Sequence, residues 1–215
     1  MESPSVKIGI LNFQGAAQDH ISHLKNHQAG YELVRKGEQL QTIGGLIIPG
    51  GESTVMGKFL RKYKMAGSLR DLVEQGMPIW GICARAILLT ENVDGKKCEN
   101  LSLLDFEIQR NAYGRQLAST EMRVFASRFL PPEGAIMPFI RAPRLILSEE
   151  ADIEIIARLE NGAPVGIVGG EYKRILATTF HPELTTNSGF HKWFIGEAER
   201  YSHRKPSEHR ENITA

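Results

Sequence analysis

The chain has 215 residues, a formal net charge of +1, 41% hydrophobic and 24% charged residues, and two cysteines. A chain of this length buries roughly 70% of the surface it exposes when unfolded, so it can build a core without staples; two cysteines make neither a disulfide framework nor a four-thiolate zinc site and point to a reducing compartment. The balanced charge argues against a nucleic-acid partner, the longest apolar run, Ala86–Leu89, falls far short of the ~20 residues of a membrane span, and Met1-Glu2-Ser3-Pro4 begins no secretory pattern, so a cytoplasmic protein with neither kind of partner is expected.

Along the chain, Lys7-Ile8-Gly9-Ile10-Leu11-Asn12-Phe13 reads as a buried strand that ends at Gln14-Gly15. Ala16–Lys25 follows with Ala17, Ile21 and Leu24 on one face at helical spacing. Tyr31–Arg35 is a second strand, and Gly45-Leu46-Ile47-Ile48 is a third that runs into Pro49-Gly50-Gly51-Glu52-Ser53-Thr54. Helices are expected over Met56–Tyr63 and Ser68–Gln75, a strand over Met77–Ile82, and a helix from about Ala84 to Glu91. Strands alternating with helices imply right-handed crossovers and a parallel sheet. The second half is richer in strands: Phe106–Arg110, Met122–Ala126, Ala135–Ile140, Ile153–Leu159, Val165–Val168 and Ile175–Phe180. Thr186–Tyr201 reads as a helix with Phe190, Trp193, Phe194 and Ala198 as its apolar face. No linker divides the chain, so residues 1–201 are read as one domain, and the polar Ser202–Ala215 as a disordered tail.

Three short segments carry possible chemistry. Gly81-Ile82-Cys83-Ala84 stands where a strand hands over to a helix. A nucleophile on such a turn is exposed above the sheet, and its position favours a thiolate. Alone, a free cysteine is more often a small buried hydrophobe. Phe180-His181-Pro182-Glu183-Leu184 follows a strand, at the sheet edge where open α/β folds bind ligands. A cysteine nucleophile needs a base, and the base needs an orienting acceptor. In an extended segment the i, i+2 spacing turns His181 and Glu183 to one side, and they can take those two roles. Pro49-Gly50-Gly51-Glu52-Ser53 permits positive φ and close backbone approach, so its N–H groups can face a developing oxyanion. An ordinary turn with Ser53 or Thr54 capping a helix is the plainer reading. A phosphate loop is disfavoured, since the Gly-Lys-Ser/Thr ending is missing.

Pro49–Thr54, Gly81–Ala84 and Phe180–Glu183 occur in the order and spacing of class I glutamine amidotransferases. Within them the chain resembles the glutaminase subunits of pyridoxal 5′-phosphate synthase, on Phe13-Gln14-Gly15-Ala16 with His20, on Gln109-Arg110-Asn111-Ala112-Tyr113-Gly114-Arg115-Gln116, and on Phe139-Ile140-Arg141-Ala142-Pro143. The resemblance covers about residues 6–200. It implies a flavodoxin-like, three-layer α/β fold with a mostly parallel central sheet. It implies a glutaminase in which Cys83 attacks the glutamine side-chain amide, His181 shuttles the proton and Glu183 holds the imidazole. The N–H groups of Gly51 and Ala84 would form the oxyanion hole, and Gly51, Glu52, Ser53, Arg110, Ile140 and Arg141 would bind the substrate. The chemistry agrees, since an arginine grips an α-carboxylate by paired hydrogen bonds and Glu52 suits the α-ammonium. The implied partner is a separate (β/α)8-barrel synthase that consumes the ammonia for vitamin B6 biosynthesis, with Phe13–Ala17 resembling the partner-contacting segment. No cofactor or metal is implied.

Asn12-Phe13 and Lys36-Gly37 depart from the pattern away from the chemistry, and one departure touches it. The family's elbow reads Gly-x-Cys-Ala-Gly, and Arg85 stands at the final glycine. Either the side chain projects away and the triad stays intact, or it displaces Cys83 or the Ala84 N–H. The second outcome would make the chain an impaired or non-catalytic assembly partner of the synthase. A related cysteine hydrolase or peptidase on the same scaffold is a third reading, against which Arg110 and Arg141 in their motifs speak. Cys98 reads as structural, and Asn111, Tyr113 and Arg115 as supporting or interface residues. His20, His23 and His27 recur at i, i+3 and i+7 without a completing carboxylate or cysteine, and read as a solvated helix face.

Overall fold

A computed structural model describes residues 5–12, 17–51, 60, 63, 65–110 and 119–204. In chain order, β1 (Lys7–Leu11), α1 (Ala17–Asn26), β2 (Gly30–Val34), β3 (Gly45–Ile48), α2 (Met65–Glu74) and β4 (Ile79–Ile82) build the first half. A 3₁₀ helix, Cys83–Leu89, follows β4 directly. The short strands β5 (Asn92–Val93), β6 (Lys96–Lys97) and β7 (Glu107–Gln109) come next, then β8 (Ser119–Phe125), β9 (Ala135–Ile140), β10 (Arg144–Ile146), β11 (Ile153–Leu159), β12 (Pro164–Gly169) and β13 (Ile175–Thr178). A 3₁₀ turn, Pro182–Leu184, leads to α3 (Gly189–Arg204).

The main sheet has nine strands in the order β2-β1-β3-β4-β13-β12-β11-β8-β9. From β2 to β13 every pairing is parallel, as expected; from β13 to β9 every pairing is antiparallel. A smaller sheet, β10-β7-β5-β6, is separate in its hydrogen bonding and packs against the main one, with Val93, Ile108 and Leu145 in a core shared with Ile167 and Ile175. Strands β3 and β4 read GLII and IWGI and are buried at every residue. Helices or loops cover both faces of such strands, so their sequences are apolar throughout rather than alternating. The period-2 rule still sorts them between two cores. Ile47, Trp80 and Ile82 join α1 and α3 in one, whereas Leu46, Ile48 and Ile79 join α2 and the 3₁₀ helix in the other.

Aromatic rings pack the first core beside the turn that follows β13. Phe129 stacks on Phe190 at 4.5 Å, Phe180 meets Phe190 edge-on and Phe139 at a tilt, and Trp80 Nε1 donates to Thr178 Oγ1 at 3.1 Å. Such ring pairs each contribute about 0.5–1.5 kcal/mol beyond their burial.

The helix expected over Ala84–Glu91 is instead 3₁₀ and stops at Leu89. A following loop takes its last carbonyls. Leu101 N–H donates to Leu88 O, Leu103 and Leu104 N–H to Leu89 O, and Asn100 Nδ2 to Ile87 O and Thr90 O. The helix expected over Thr186–Tyr201 starts at Gly189, whose N–H donates to Asn187 Oδ1, and it continues through Ser202–Arg204 into the segment expected to be a tail. The expected Met56–Tyr63 helix lies mostly outside the described residues, as does the rest of the tail. Among the described residues no helix is long and apolar enough to cross a membrane.

Candidate active site

Strands β3, β4 and β13 are neighbours and run parallel, so the turns that follow them share one edge of the sheet. Gly50-Gly51 follows β3, Cys83 follows β4, and His181 comes shortly after β13. Segments more than a hundred residues apart in sequence are therefore adjacent by topology alone.

Cys83 has φ 53°, a left-handed conformation that a β-carbon resists, as a nucleophile held on a sharp strand-to-helix turn does. Gly81 lets the turn close: a β-carbon there would stand 3.0 Å from the Arg85 carbonyl oxygen and 2.9 Å from Leu89 Cδ1. The Cys83 side chain is buried, and its Sγ–H donates to Ile140 O at 3.3 Å, across from the end of β9.

His181 is held from three sides. Its N–H donates to Pro138 O at 2.9 Å, Phe180 beside it packs on Phe139, and its ring lies over Gly50, where a β-carbon would stand 2.5 Å from Cε1. Nδ1 lies 2.7 Å from Glu183 Oε1, in a pair whose side chains are 9% and 0% exposed. The carboxylate only accepts, so Nδ1 carries the proton and Nε2 is left for the reaction. Nε2 has no hydrogen-bond partner among the described residues. The expected juxtaposition is present, but its cause differs. Glu183 sits in the Pro182–Leu184 3₁₀ turn, and that turn, rather than an extended segment, folds its carboxylate back onto His181.

Electrostatics tie the three groups together. Burial pulls the His181 pKa down, but Cys83 and Glu183 more than offset it and push the value up to about 10. Burial pushes Glu183 up, yet the His181 hydrogen bond and the neighbouring His20 and His181 hold it below the ordinary carboxylate value. The arrangement sets the Cys83 sulfur beside a histidine whose charged form its neighbours favour.

Gly51 has φ +140°, a backbone open to glycine and strained for other residues. Ala84, half-buried, follows the cysteine directly. Arg85 comes next in the chain. It is fully buried and does not project away: a β-carbon on Gly51 would stand 2.8 Å from its Nη2 and 3.5 Å from its Cζ. A guanidinium thus lies against the Gly50-Gly51 turn, reached from a position where the family pattern has only a hydrogen atom.

Of the expected substrate residues, Ile140 and Arg141 lie at the site. The Ile140 carbonyl meets Cys83, and Arg141, exposed, has φ 48°. Arg110 follows β7 in the smaller sheet, where its N–H and Nε both donate to Asp94, at 2.8 Å each. Glu52 and Ser53 lie outside the described residues, as do Phe13–Ala16 and Asn111–Gln116. Cys83 and Cys98 are both free thiols. Among the described residues no group of three or more His, Cys, Asp or Glu side chains is placed to hold a metal.

The histidines of α1 correct an expectation. His20 and His23 are not solvated: they are 0% and 4% exposed, packed against His191 of α3 and the Glu183 turn. Their helical spacing was the visible signal; the partner histidine lies 171 residues away from His20 and could not be paired with it by pattern.

The model of the SNO glutamine amidotransferase family matches residues 10–200. A protein of Caldicellulosiruptor bescii named pyridoxal 5′-phosphate synthase subunit PdxT is 43% identical over 188 residues, covering 87% of this chain and 96% of its own length. A Dehalococcoides mccartyi protein of the same name is 40% identical over 200 residues, 91% of this chain and 99% of its own. A crystal structure titled glutamine amidotransferase superposes with a TM-score of 0.80 at 36% identity, over 89% of this chain and 98% of that one.

Proposed function

The chain belongs to the SNO glutamine amidotransferase family, and from that premise we propose that it is the glutaminase subunit of a pyridoxal 5′-phosphate synthase, releasing ammonia from L-glutamine for a synthase partner. The observation that carries the reading is the meeting of Cys83, the His181–Glu183 pair and Gly51 at the ends of three adjacent parallel strands.

In this mechanism the Cys83 thiolate attacks the side-chain carbonyl carbon of glutamine and the C–S bond forms. The carbonyl oxygen takes the negative charge, and the N–H groups of Gly51 and Ala84 receive it. Loss of one such donor costs on the order of 10²–10³ in rate. The imidazolium of His181 gives its Nε2 proton to the leaving nitrogen, the C–N bond breaks, and ammonia leaves a γ-glutamyl thioester. With the thiolate consumed, the Cys83 contribution that raised the His181 pKa is gone. The ring can then take a proton from water, which attacks the thioester, breaks the C–S bond and restores the thiolate with L-glutamate as product. Glu183 holds Nδ1–H throughout, so that Nε2 always faces the reacting atoms.

Arg141, with Ile140, would hold the amino-acid end of the substrate, together with Gly51, Glu52, Ser53 and Arg110. Engaging Arg110 would require it to leave Asp94, an exposed pair of the kind that contributes about 0–1 kcal/mol. The partner would be a (β/α)8-barrel synthase, and the free thiols suit a cytoplasmic site of action.

Arg85 against Gly51 supports a second reading, a docking subunit that hydrolyses glutamine poorly or not at all. Glutamate release by the chain mixed with its synthase separates the two. Hydrolysis that Cys83→Ala abolishes supports the glutaminase. No hydrolysis in the assembled complex, with hydrolysis appearing in Arg85→Gly, supports the second reading.

A further inference from the structure

Behind Glu183 lies a histidine that the mechanism above does not use. His23, on α1, reaches the triad's turn: its Nε2 lies 3.2 Å from the backbone carbonyl oxygen of Glu183 and its Nδ1 2.8 Å from Ser188 Oγ. A carbonyl oxygen only accepts, so Nε2 carries the proton, and Nδ1 accepts from the serine hydroxyl. Ser188, just before α3, thereby sets the tautomer that lets His23 hold Glu183. The His23 ring is fixed on its face as well, stacked on His191 with centroids 4.1 Å apart and planes 6° from parallel. His191 Nε2 in turn lies 2.9 Å from His20 Nδ1. Residues from α1 and α3 thus converge on the backbone of the residue whose carboxylate orients His181.

We propose that His23 is a positioning residue of the glutaminase site: it clamps the Pro182–Leu184 turn to α1 through the Glu183 carbonyl, with Ser188 setting its tautomer and His191 its ring plane. The inference rests on the reading of Cys83, His181 and Glu183 as the triad. A 3₁₀ turn of three residues has little structure of its own to fix a carboxylate. Glu183 Oε2, the oxygen that His181 does not use, has no hydrogen-bond partner among the described residues, so the side chain is held from Oε1 alone and the backbone beneath it decides where it stands. The titratable groups facing Glu183 are His181 on its own turn with Cys83 beyond it, His20 and His23 from α1, and His191 from α3 behind them.

The test uses the full chain in its complex with the synthase, and two substitutions. His23→Phe keeps the stacked ring and removes the hydrogen bonds; His23→Gln keeps a donor. In His23→Phe the kcat for glutamine hydrolysis should fall about tenfold with KM within about twofold, the scale expected when a catalytic group is slightly misplaced. The pH profile of Cys83 alkylation by iodoacetamide should move as well, because Glu183 no longer holds His181 in place. His23→Gln should recover most of both losses. Equal losses in the two variants, with a lowered melting temperature and an unmoved alkylation profile, would overturn the proposal and leave His23 a packing residue. So would a His23→Phe protein that matches the parent in both readouts. The alkylation profile does not depend on turnover: should the parent complex hydrolyse no glutamine, a profile that moves in His23→Phe and returns in His23→Gln still supports the clamp, and the failure is then that of the glutaminase reading.

Discussion

The guanidinium of Arg85 lies against Gly51, so that the first β-carbon a substitution would add there meets Nη2 at 2.8 Å. Gly51 and Ala84 are the two proposed oxyanion donors, and Arg85, which follows Ala84 in the elbow, reaches the turn that carries Gly51. Removing the side chain should let the elbow settle toward the turn. Arg85→Gly is expected to raise kcat for glutamine hydrolysis about tenfold in the assembled complex, a fraction of what one oxyanion donor is worth. A fall instead would mean that the buried cation itself serves the site, and a steady-state comparison of the two proteins decides the matter.

Gly50 bears on the proposed base, His181, rather than on the oxyanion. A β-carbon at this position would stand 2.5 Å from His181 Cε1, and the ring must shift to admit it. A displacement near 1 Å costs about 10²-fold in rate. Gly50→Ala should therefore lose about two orders of magnitude in kcat while its circular dichroism stays that of the parent. Retention of activity would place the working imidazole elsewhere.

The 2.7 Å pair of His181 and Glu183 predicts a tautomer effect. Glu183→Gln offers an amide whose N–H₂ end can face Nδ1, turning the ring's proton to the wrong nitrogen. The expected loss in kcat is about 10²–10⁴-fold, by analogy with the wrong-tautomer effect in serine hydrolases, with KM little changed. Measured kinetics that split the other way, KM raised and kcat kept, would make Glu183 a binding residue.

Stability should depend on pH from both sides. His20 is held at about 4 by burial, against an ordinary 6.5, so its share of stability is present above pH 6.5 and is lost as pH falls toward 4. At 1.36 kcal/mol per unit of pKa the loss is about 3 kcal/mol. Glu183, lowered from 4.5, loses its share as pH falls further, through its folded value. His181, raised to about 10, contributes fully below pH 6.5 and loses its share as pH rises toward 10. The melting temperature should peak near neutrality, and His20→Phe should flatten the limb between pH 6.5 and 4. An acid limb identical in the two proteins would contradict the assignment.

The part of the site carried by strand ends was legible in the sequence. Leu46–Ile48, Ile79–Ile82 and Ile175–Thr178 are short apolar runs, each followed by a turn that carries a proposed site residue, and parallel pairing puts such turns on one edge. What escaped is set by long-range partners. The strands β5, β6 and β10 are two or three residues long and exist only through their neighbours, with no periodicity of their own. The 3₁₀ form of Cys83–Leu89 depends on Asn100–Leu104 taking its carbonyls. The direction of Arg85 could not be read either, since a charged side chain is usually exposed; here it is fully buried. The burial of His20 and His23 likewise depends on His191 at the other end of the chain.

Covalent trapping tests most directly whether Cys83 is the nucleophile. The complex with the synthase is treated with a glutamine-mimicking electrophile, and the labelled peptide is located by mass spectrometry, with Cys98, the chain's other free thiol, as internal control. One adduct on Cys83, lost in Cys83→Ala and blocked by excess L-glutamine, is the predicted result. No adduct, or labelling of Cys98 in preference, would contradict it.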